Sequence, residues 1–357
     1  MGHIKTTEQT ETHMEHNDHR AARGLNRRAF IAAGAALPLM GILSRRADAA
    51  EFTYKLATAQ DPTHPVNTRA QQAADRIREA THGRLEIRVF PASQLGSDSD
   101  QLSQVRNGSI EFCNQAGSTL SVLAPIAGIA NTGFAFNSYD DVWKAMDGGL
   151  GNYIRAQIEK TGVVSVSRAW DNGFRQISTS SRPIHAPEDL RGLKIRVPVS
   201  PMLTSIFQSL GAGPTPLNFN ELYSALQTKL VDGEENALPT IATSKIYEVQ
   251  KYISMTSHVW DNYWILGNPA AFQRLPEEIR QIVKREFDRS GLDERADIAK
   301  QSDSLRTELA NKGIQFTSVD RSAFRAALSK AGFYGKWREK FGHEAWALLE
   351  QTAGKLA

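Results

Sequence analysis

Cysteine is nearly absent: Cys113 is the single one in 357 residues. Neither an intramolecular disulfide nor a cysteine-based zinc site can therefore form. Cys113 sits in the run "SIEFCNQA", where it reads as a small buried hydrophobe. Long apolar runs are lacking too. The longest, Ala29 to Leu43, has about 15 residues, against the roughly 20 that a membrane helix needs. An excess of one charge is missing from the body of the chain. The formal net charge is +3, but the first fifty residues hold seven Lys and Arg against five Asp and Glu, leaving 35 against 34 for the remainder. Such a neutral body argues against a nucleic-acid surface, which would need a concentrated basic face.

Catalytic signatures are equally scarce. No G-x-S-x-G, H-E-x-x-H or calcium-loop spacing occurs. Five histidines follow the first fifty residues (His64, His82, His185, His258 and His343), and no two have metal-ligand spacing. Within "DGEEN", Asp232, Glu234 and Glu235 read as adjacent helical residues that point apart, a poor acid and base pair. The glycines of "GGLGNY" at 148–153 follow no strand signal and read as a turn rather than a phosphate loop. No catalytic residue, metal or cofactor is therefore assigned, and the chain is not read as an enzyme.

What is present is a globular composition, 41% hydrophobic and 23% charged, long enough for two domains. The first fifty residues read as an address. Arg27 and Arg28 precede the apolar run, and Ala47-Asp48-Ala49 offers a small-x-small cleavage site. "NRRAFI" resembles a twin-arginine export signal, with a general secretory signal as the alternative. On either reading the mature protein begins near Ala50 or Glu51 and works in the periplasm.

Beyond that point strand and helix signals alternate. "FTYKLATA", "RLEIRVF" and "SIEFCNQA" read as strands, separated by helices over 67–83 and 100–108. A second set follows with "VVSVSRAW", "GFRQISTS" and "LKIRVP", then helices over 200–211 and 218–230. This order predicts an α/β fold with two mostly parallel units. From Pro276 to Gly313 apolar residues keep helical spacing, which predicts a long helix bending near Gly291. The last forty residues read as helices on the outside.

Within "GLKIRVP" a full positive charge, Arg196, is set among Leu193, Ile195 and Val197. A strand like this is buried, so its guanidinium needs an anion. Arginine's planar fork matches both oxygens of a carboxylate.

"GFRQISTSSRPI", "DLRGLKIRVP", "LYSALQTKLVDGEENALP" and "YEVQKYIS", in this order and with "FPASQLG" and "VRNGSIEF" ahead of them, resemble one family. It is the DctP-type solute-binding proteins of tripartite ATP-independent periplasmic (TRAP) transporters, and the likeness covers about residues 52 to 345. The resemblance implies a two-lobed periplasmic-binding-protein-like fold (type II-like) whose lobes are joined by crossing strands and a long bent helix. Lobe 1 would take 51–172 plus about 262–300, and lobe 2 would take 173–261 plus about 301–357.

The same resemblance implies a monomeric receptor for a small organic acid, C4-dicarboxylates among the candidates, that delivers its ligand to the permease subunits of the transporter. The family's carboxylate-binding arginine falls on Arg196, a second arginine on Arg175, and an asparagine amide on Asn236. The chain departs from the family pattern at Lys229, where glycine is common, and at Ala237, where proline is common. An internal ion pair is the alternative for either arginine, with Glu235 a possible partner of Arg196, and Asn236 has a capping role as its alternative. Trp170 and Asp171 fall where the chain should cross between lobes, and Phe219, Trp260 and Tyr263 near the expected cleft edges. These five are candidates for specificity. A periplasmic ligand sensor and an enzyme on the same scaffold stay open as rival functions.

Overall fold

The computed structural model describes residues 50–356. The Arg27-Arg28 pair, the apolar run after it and the cleavage site lie outside the described residues. In chain order the elements are β1 (Phe52–Ala57), α1 (Pro65–Ala80), β2 (Leu85–Phe90), α2 (Asp98–Asn107), β3 (Phe112–Ala116), α3 (Gly117–Leu120), α4 (Tyr139–Met146), α5 (Gly149–Glu159), β4 (Val164–Ser165), β5 (Trp170–Thr179) and β6 (Lys194–Val197). There follow α6 (Pro201–Ser209), β7 (Gly213–Pro216), α7 (Phe219–Gln227), β8 (Gly233–Ala237), α8 (Leu238–Thr243), β9 (Tyr252–Gly267), α9 (Pro269–Arg274), α10 (Glu277–Asn311), β10 (Gln315–Ser318), α11 (Arg321–Lys330), α12 (Phe333–Phe341) and α13 (His343–Ala353).

Local chemistry sets many of these boundaries. His64 caps α1, its Nδ1 accepting from the Val66 N–H at 3.2 Å, with Pro65 at the first helical position. Ser97 and Asp100 form a reciprocal capping box on α2, and Gly108, at φ 81°, closes that helix in the left-handed region.

The strands form one continuous sheet in the order β2-β1-β3-β9-β5-β8-β6-β7, with β10 and β4 also paired to β9. β1 is parallel to β2 and β3, and β6 is parallel to β7 and β8. Two parallel halves are thus joined by the antiparallel pair β5 and β9. β9 reaches both halves because it is 16 residues long: its Tyr263–Gly267 end pairs with β3, and its Tyr252–Met255 end pairs with β10. Most of it is buried on both faces, so its sequence lacks the alternation that would mark a half-exposed strand.

The carboxyl ends of the two halves face each other. Asp98, at the start of α2, accepts from the Phe219 N–H at the start of α7 at 3.0 Å, and the Ser99 hydroxyl donates to Asn218 Oδ1 at 2.8 Å. Crevices at the carboxyl ends of strands are where open α/β sheets hold ligands.

Three expectations change. The 148–153 glycines open helix α5 instead of a turn: a Cβ at Gly151 would sit 1.8 Å from the Met146 carbonyl oxygen, so this close approach needs glycine. Within "DGEENA", Gly233–Ala237 form the buried strand β8, and Glu234 and Glu235 point apart because strand neighbours alternate faces. "VVSVSRAW" yields only the two-residue β4 before β5 starts at Trp170.

The long helix is present as α10, 35 residues without interruption through Gly291. Gly291 serves a close contact: a Cβ there would lie 2.7 Å from Trp170 Nε1. The last three helices carry a buried stripe that includes Phe324, Trp337, Trp346 and Leu349, joined to the main core with Leu203 and Ile206 of α6.

Candidate functional site

Arg196 lies on β6 opposite Glu234 of β8 and Thr215 of β7. Its side chain is 2% exposed. Nε and Nη2 both donate to the Leu217 carbonyl oxygen, at 3.1 and 2.7 Å, and the guanidinium sits 6.0 Å from the centre of the Phe219 ring. Among the described residues no carboxylate forms an ion pair with it. Burial pulls its pKa down to about 10, and the more distant charges of Glu234 and Glu235 oppose that pull. A desolvated cation without a paired anion is costly, by several kcal/mol in order of magnitude. The carbonyl at Leu217 offsets only part of that.

The other buried arginines are neutralised. Arg175 on β5 forks onto Glu235, Nε to Oε2 at 2.6 Å and Nη2 to Oε1 at 2.8 Å, and Nη1 is 3.6 Å from Asp261 Oδ2. Arg295 pairs with Asp147 at 2.7 Å. For Glu235, burial alone would raise the pKa, but the Arg175 charge overrides it and holds the carboxyl below its ordinary value. Reciprocally, burial works against the Arg175 charge and Glu235 more than restores it. His258 Nε2 lies 3.1 Å from the same Glu235 oxygen, yet burial keeps the imidazole pKa below normal. The internal partner considered for Arg196 thus belongs to Arg175.

Asn236 shares the Glu234 face of β8. Its Nδ2 donates to Glu234 Oε2 at 2.7 Å, and the Ser178 hydroxyl donates to Oε1 at 2.6 Å. Burial raises the Glu234 pKa against these two bonds. Asp98 is likewise pushed up by burial, opposed by the Phe219 N–H and the Arg196 charge.

Arg196, Phe219 and Asn236 gather on the Glu234 side of β8, and Arg175 holds Glu235 on its other side, near enough for its charge to act on Arg196. Asp171 and Trp260 meet separately at the strand crossing, and Trp170, next to Asp171 in β5, belongs to a different core from Trp260. Trp170 is fully buried in a core with Val166, Ile265 and Phe287. Trp260 Nε1 donates to Asp171 Oδ1 at 2.8 Å and packs edge-on against Trp143 and Phe136. Tyr263 packs edge-on against His64, with its hydroxyl towards Thr240.

Sequence reasoning passed over Asp98, Glu234 and His258 as parts of this region. The helix read over 100–108 begins in fact at Asp98, and nothing local showed that this start meets α7 across the crevice. Gln60 Oε1 and Asn114 Nδ2, near the carboxyl ends of β1 and β3, are buried without a hydrogen-bond partner among the described residues. No group of His, Cys, Asp and Glu suited to a metal occurs among the described residues.

Two parallel half-sheets facing each other across crossing strands, with a buried cation at the crevice, define a two-lobed ligand receptor. The model of the bacterial extracellular solute-binding proteins, family 7 (DctP), matches residues 56–333, and the chain belongs to that family. It is thus an extracytoplasmic solute-binding protein of the DctP type that serves TRAP transporters. It is 31% identical over 295 residues to the 2,3-diketo-L-gulonate-binding periplasmic protein YiaO of Escherichia coli, covering 82% of this chain and 88% of that protein.

An uncharacterized protein, y4mM, of Sinorhizobium fredii is 34% identical over 308 residues, which are 85% of this chain and 57% of that longer protein. Among solved structures, a TRAP periplasmic solute-binding protein from Sulfurospirillum deleyianum with bound succinate superposes with a TM-score of 0.80 at 27% identity, covering 85% of this chain and 99% of the other. Among the described residues no helix is long and apolar enough to cross a membrane.

Proposed function

We propose that the protein works in the periplasm as a monomer, capturing a small organic acid and delivering it to the membrane subunits of a TRAP transporter. The observation that carries this reading is Arg196, a desolvated guanidinium that no carboxylate pairs among the described residues. The ligand's carboxylate would take that place. Arg175, held in position by Glu235, would turn its remaining N–H groups to the same ligand, with Asn236 on one side and the Phe219 ring on the other. Trp170, Asp171, Trp260 and Tyr263 would shape the crossing rather than grip the acid's charge.

Residues 51–172 with about 262–300 would close against 173–261 with about 301–357, and the Asp98 to Phe219 bond would form on closure. Relatives named for a sugar acid and solved with a C4-dicarboxylate support an acid ligand and leave its carbon skeleton open.

A thermal-shift panel tests the reading: C4-dicarboxylates, sugar acids, 2-oxo and 2-hydroxy acids, and the uncharged amide of each. Stabilisation by at least one acid and by none of the amides is expected. Stabilisation by neutral sugars or amines alone would remove the organic-acid reading.

A further inference from the structure

Where β5 enters the crossing, two carboxylates are buried together, and neither forms an ion pair among the described residues. Asp171 on β5 and Glu294 on α10 are both 0% exposed. The Asp171 backbone N–H donates to Glu294 Oε2 at 2.8 Å, and Trp260 Nε1 donates to Asp171 Oδ1 at 2.8 Å. Of the remaining oxygens, Glu294 Oε1 has no hydrogen-bond partner among the described residues, and Asp171 Oδ2 has none within bonding distance there, although the Tyr139 hydroxyl and the Gly173 N–H are turned towards its carboxyl. An unpaired carboxylate oxygen that deep is unfavourable, and two adjacent like charges make it more so.

The surrounding groups do not neutralise the pair. From α4 comes the Tyr139 hydroxyl, which faces Asp171. From α10 come Arg295 and Asp297. Arg295 is committed to Asp147 and to the Ala169 carbonyl, and stacks 3.7 Å from the Trp143 ring centre. Asp297 adds negative charge and is itself held by Arg69 of α1 at 2.6 Å. From β9 come Tyr263, which stays neutral in its buried setting, and Asp261, which is bonded to Ser118 and Asn131. The backbone is irregular at this same place: the β5 to β9 register shifts between Asp171 and Gly173, where Gly173 has φ +104°.

We propose that Asp171 and Glu294 share one proton at neutral pH, and that this proton fastens the start of the crossing strand to the long helix. Losing it leaves two buried negative charges at the junction of the two halves, which loosens the hinge. Burial pushes the Asp171 pKa up to about 7 and that of Glu294 well above the ordinary carboxyl value, in keeping with the shared proton. The sign follows. The folded pair keeps protons that the unfolded chain releases near pH 4, so its stabilising share falls as pH rises from about 4 through about 7, and the shared proton itself leaves only above that.

Glu294→Gln puts an N–H where the shared proton lies and removes one of the two titrating carboxyls, so the variant folds with one bound proton fewer than the wild type. In urea titrations of the ligand-free protein, the ratio of unfolding constants, wild type over Glu294→Gln, should climb with pH, approaching about tenfold per pH unit below about 7. A ratio flat within about twofold across that window overturns the proposal. The second measurement does not need a folded variant. The infrared difference spectrum of the wild type near pH 6 should contain a protonated-carboxyl stretch, and its absence refutes the shared proton. Where Asp171→Asn and Glu294→Gln fold, both should weaken that band. Asp98 and Glu234, also raised by burial, can contribute to the same region, so the decisive reading is the loss of intensity, and a band of unchanged intensity in both variants overturns the assignment.

Discussion

Removing the guanidinium of Arg196 separates the two origins its counter-anion can have. In Arg196→Ala the ligand carboxylate enters the crevice, loses its water and finds no fork to receive it. Truncating one partner of a buried, hydrogen-bonded charge pair costs about 2 to 5 kcal/mol, so affinity should fall roughly thirtyfold to several thousandfold. Arg196→Lys should lie between wild type and alanine. Lysine keeps a charge, but it cannot hold the Leu217 carbonyl and both oxygens of a carboxylate in one plane.

The empty protein should respond differently. Its loss is one carbonyl's hydrogen bonds, about 1 to 3 kcal/mol at most. Its gain is relief of a buried unpaired cation, so the melting temperature should move little in either direction. Calorimetric titration with whichever acid the panel selects, beside a melt of the empty variant, reads both numbers. Unchanged affinity, or a collapse of the empty protein's melting temperature with affinity retained, would refute the assignment of Arg196 to ligand.

Breaking the neighbouring internal pair should do the reverse. Glu235→Gln leaves Arg175 buried beside Asp261 alone at 3.6 Å, and urea denaturation should show a loss of about 3 to 5 kcal/mol near pH 7. Because the Glu235 pKa is depressed in the folded state, its stabilising share is present above the unfolded carboxyl pKa, about 4.3, and is lost as pH falls through the lower folded value. The deficit of Glu235→Gln should accordingly shrink in acid, and a deficit that stays constant there would contradict the pairing. Gly291→Ala places a methyl 2.7 Å from Trp170 Nε1 and should destabilise by about 1 to 3 kcal/mol with altered tryptophan fluorescence. A neutral result would mean that α10 has room to shift away from β5.

Much of this molecule is written locally. Alternating short apolar runs and capped helices gave the α/β order, because strand and helix periodicities and caps act over a few residues. The motifs around Arg175, Arg196 and Asn236 carried the family resemblance for the same reason, each being a short contiguous stretch built around one strand. A charged residue inside an apolar strand already implied a buried cation in need of an anion. Pairing across the fold was another matter. Whether Glu235 would neutralise Arg175 or Arg196 depends on which strands are neighbours: β5 lies between β9 and β8, and this brings the Arg175 fork onto Glu235 while Arg196 reaches only the Leu217 carbonyl.

β9 escaped reading because a strand buried on both faces loses its alternation, and β8 was mistaken for helix because two adjacent glutamates are rare in a sheet interior. Asp98 meeting the Phe219 N–H, and Asp171 meeting Glu294, join residues more than a hundred positions apart. The sequence by itself determined which side chains carry charge and which strands and helices hold them. Only the tertiary structure decided which charges are neutralised at home and which wait for a partner, because Coulomb energy and desolvation depend on distances that chain order does not specify.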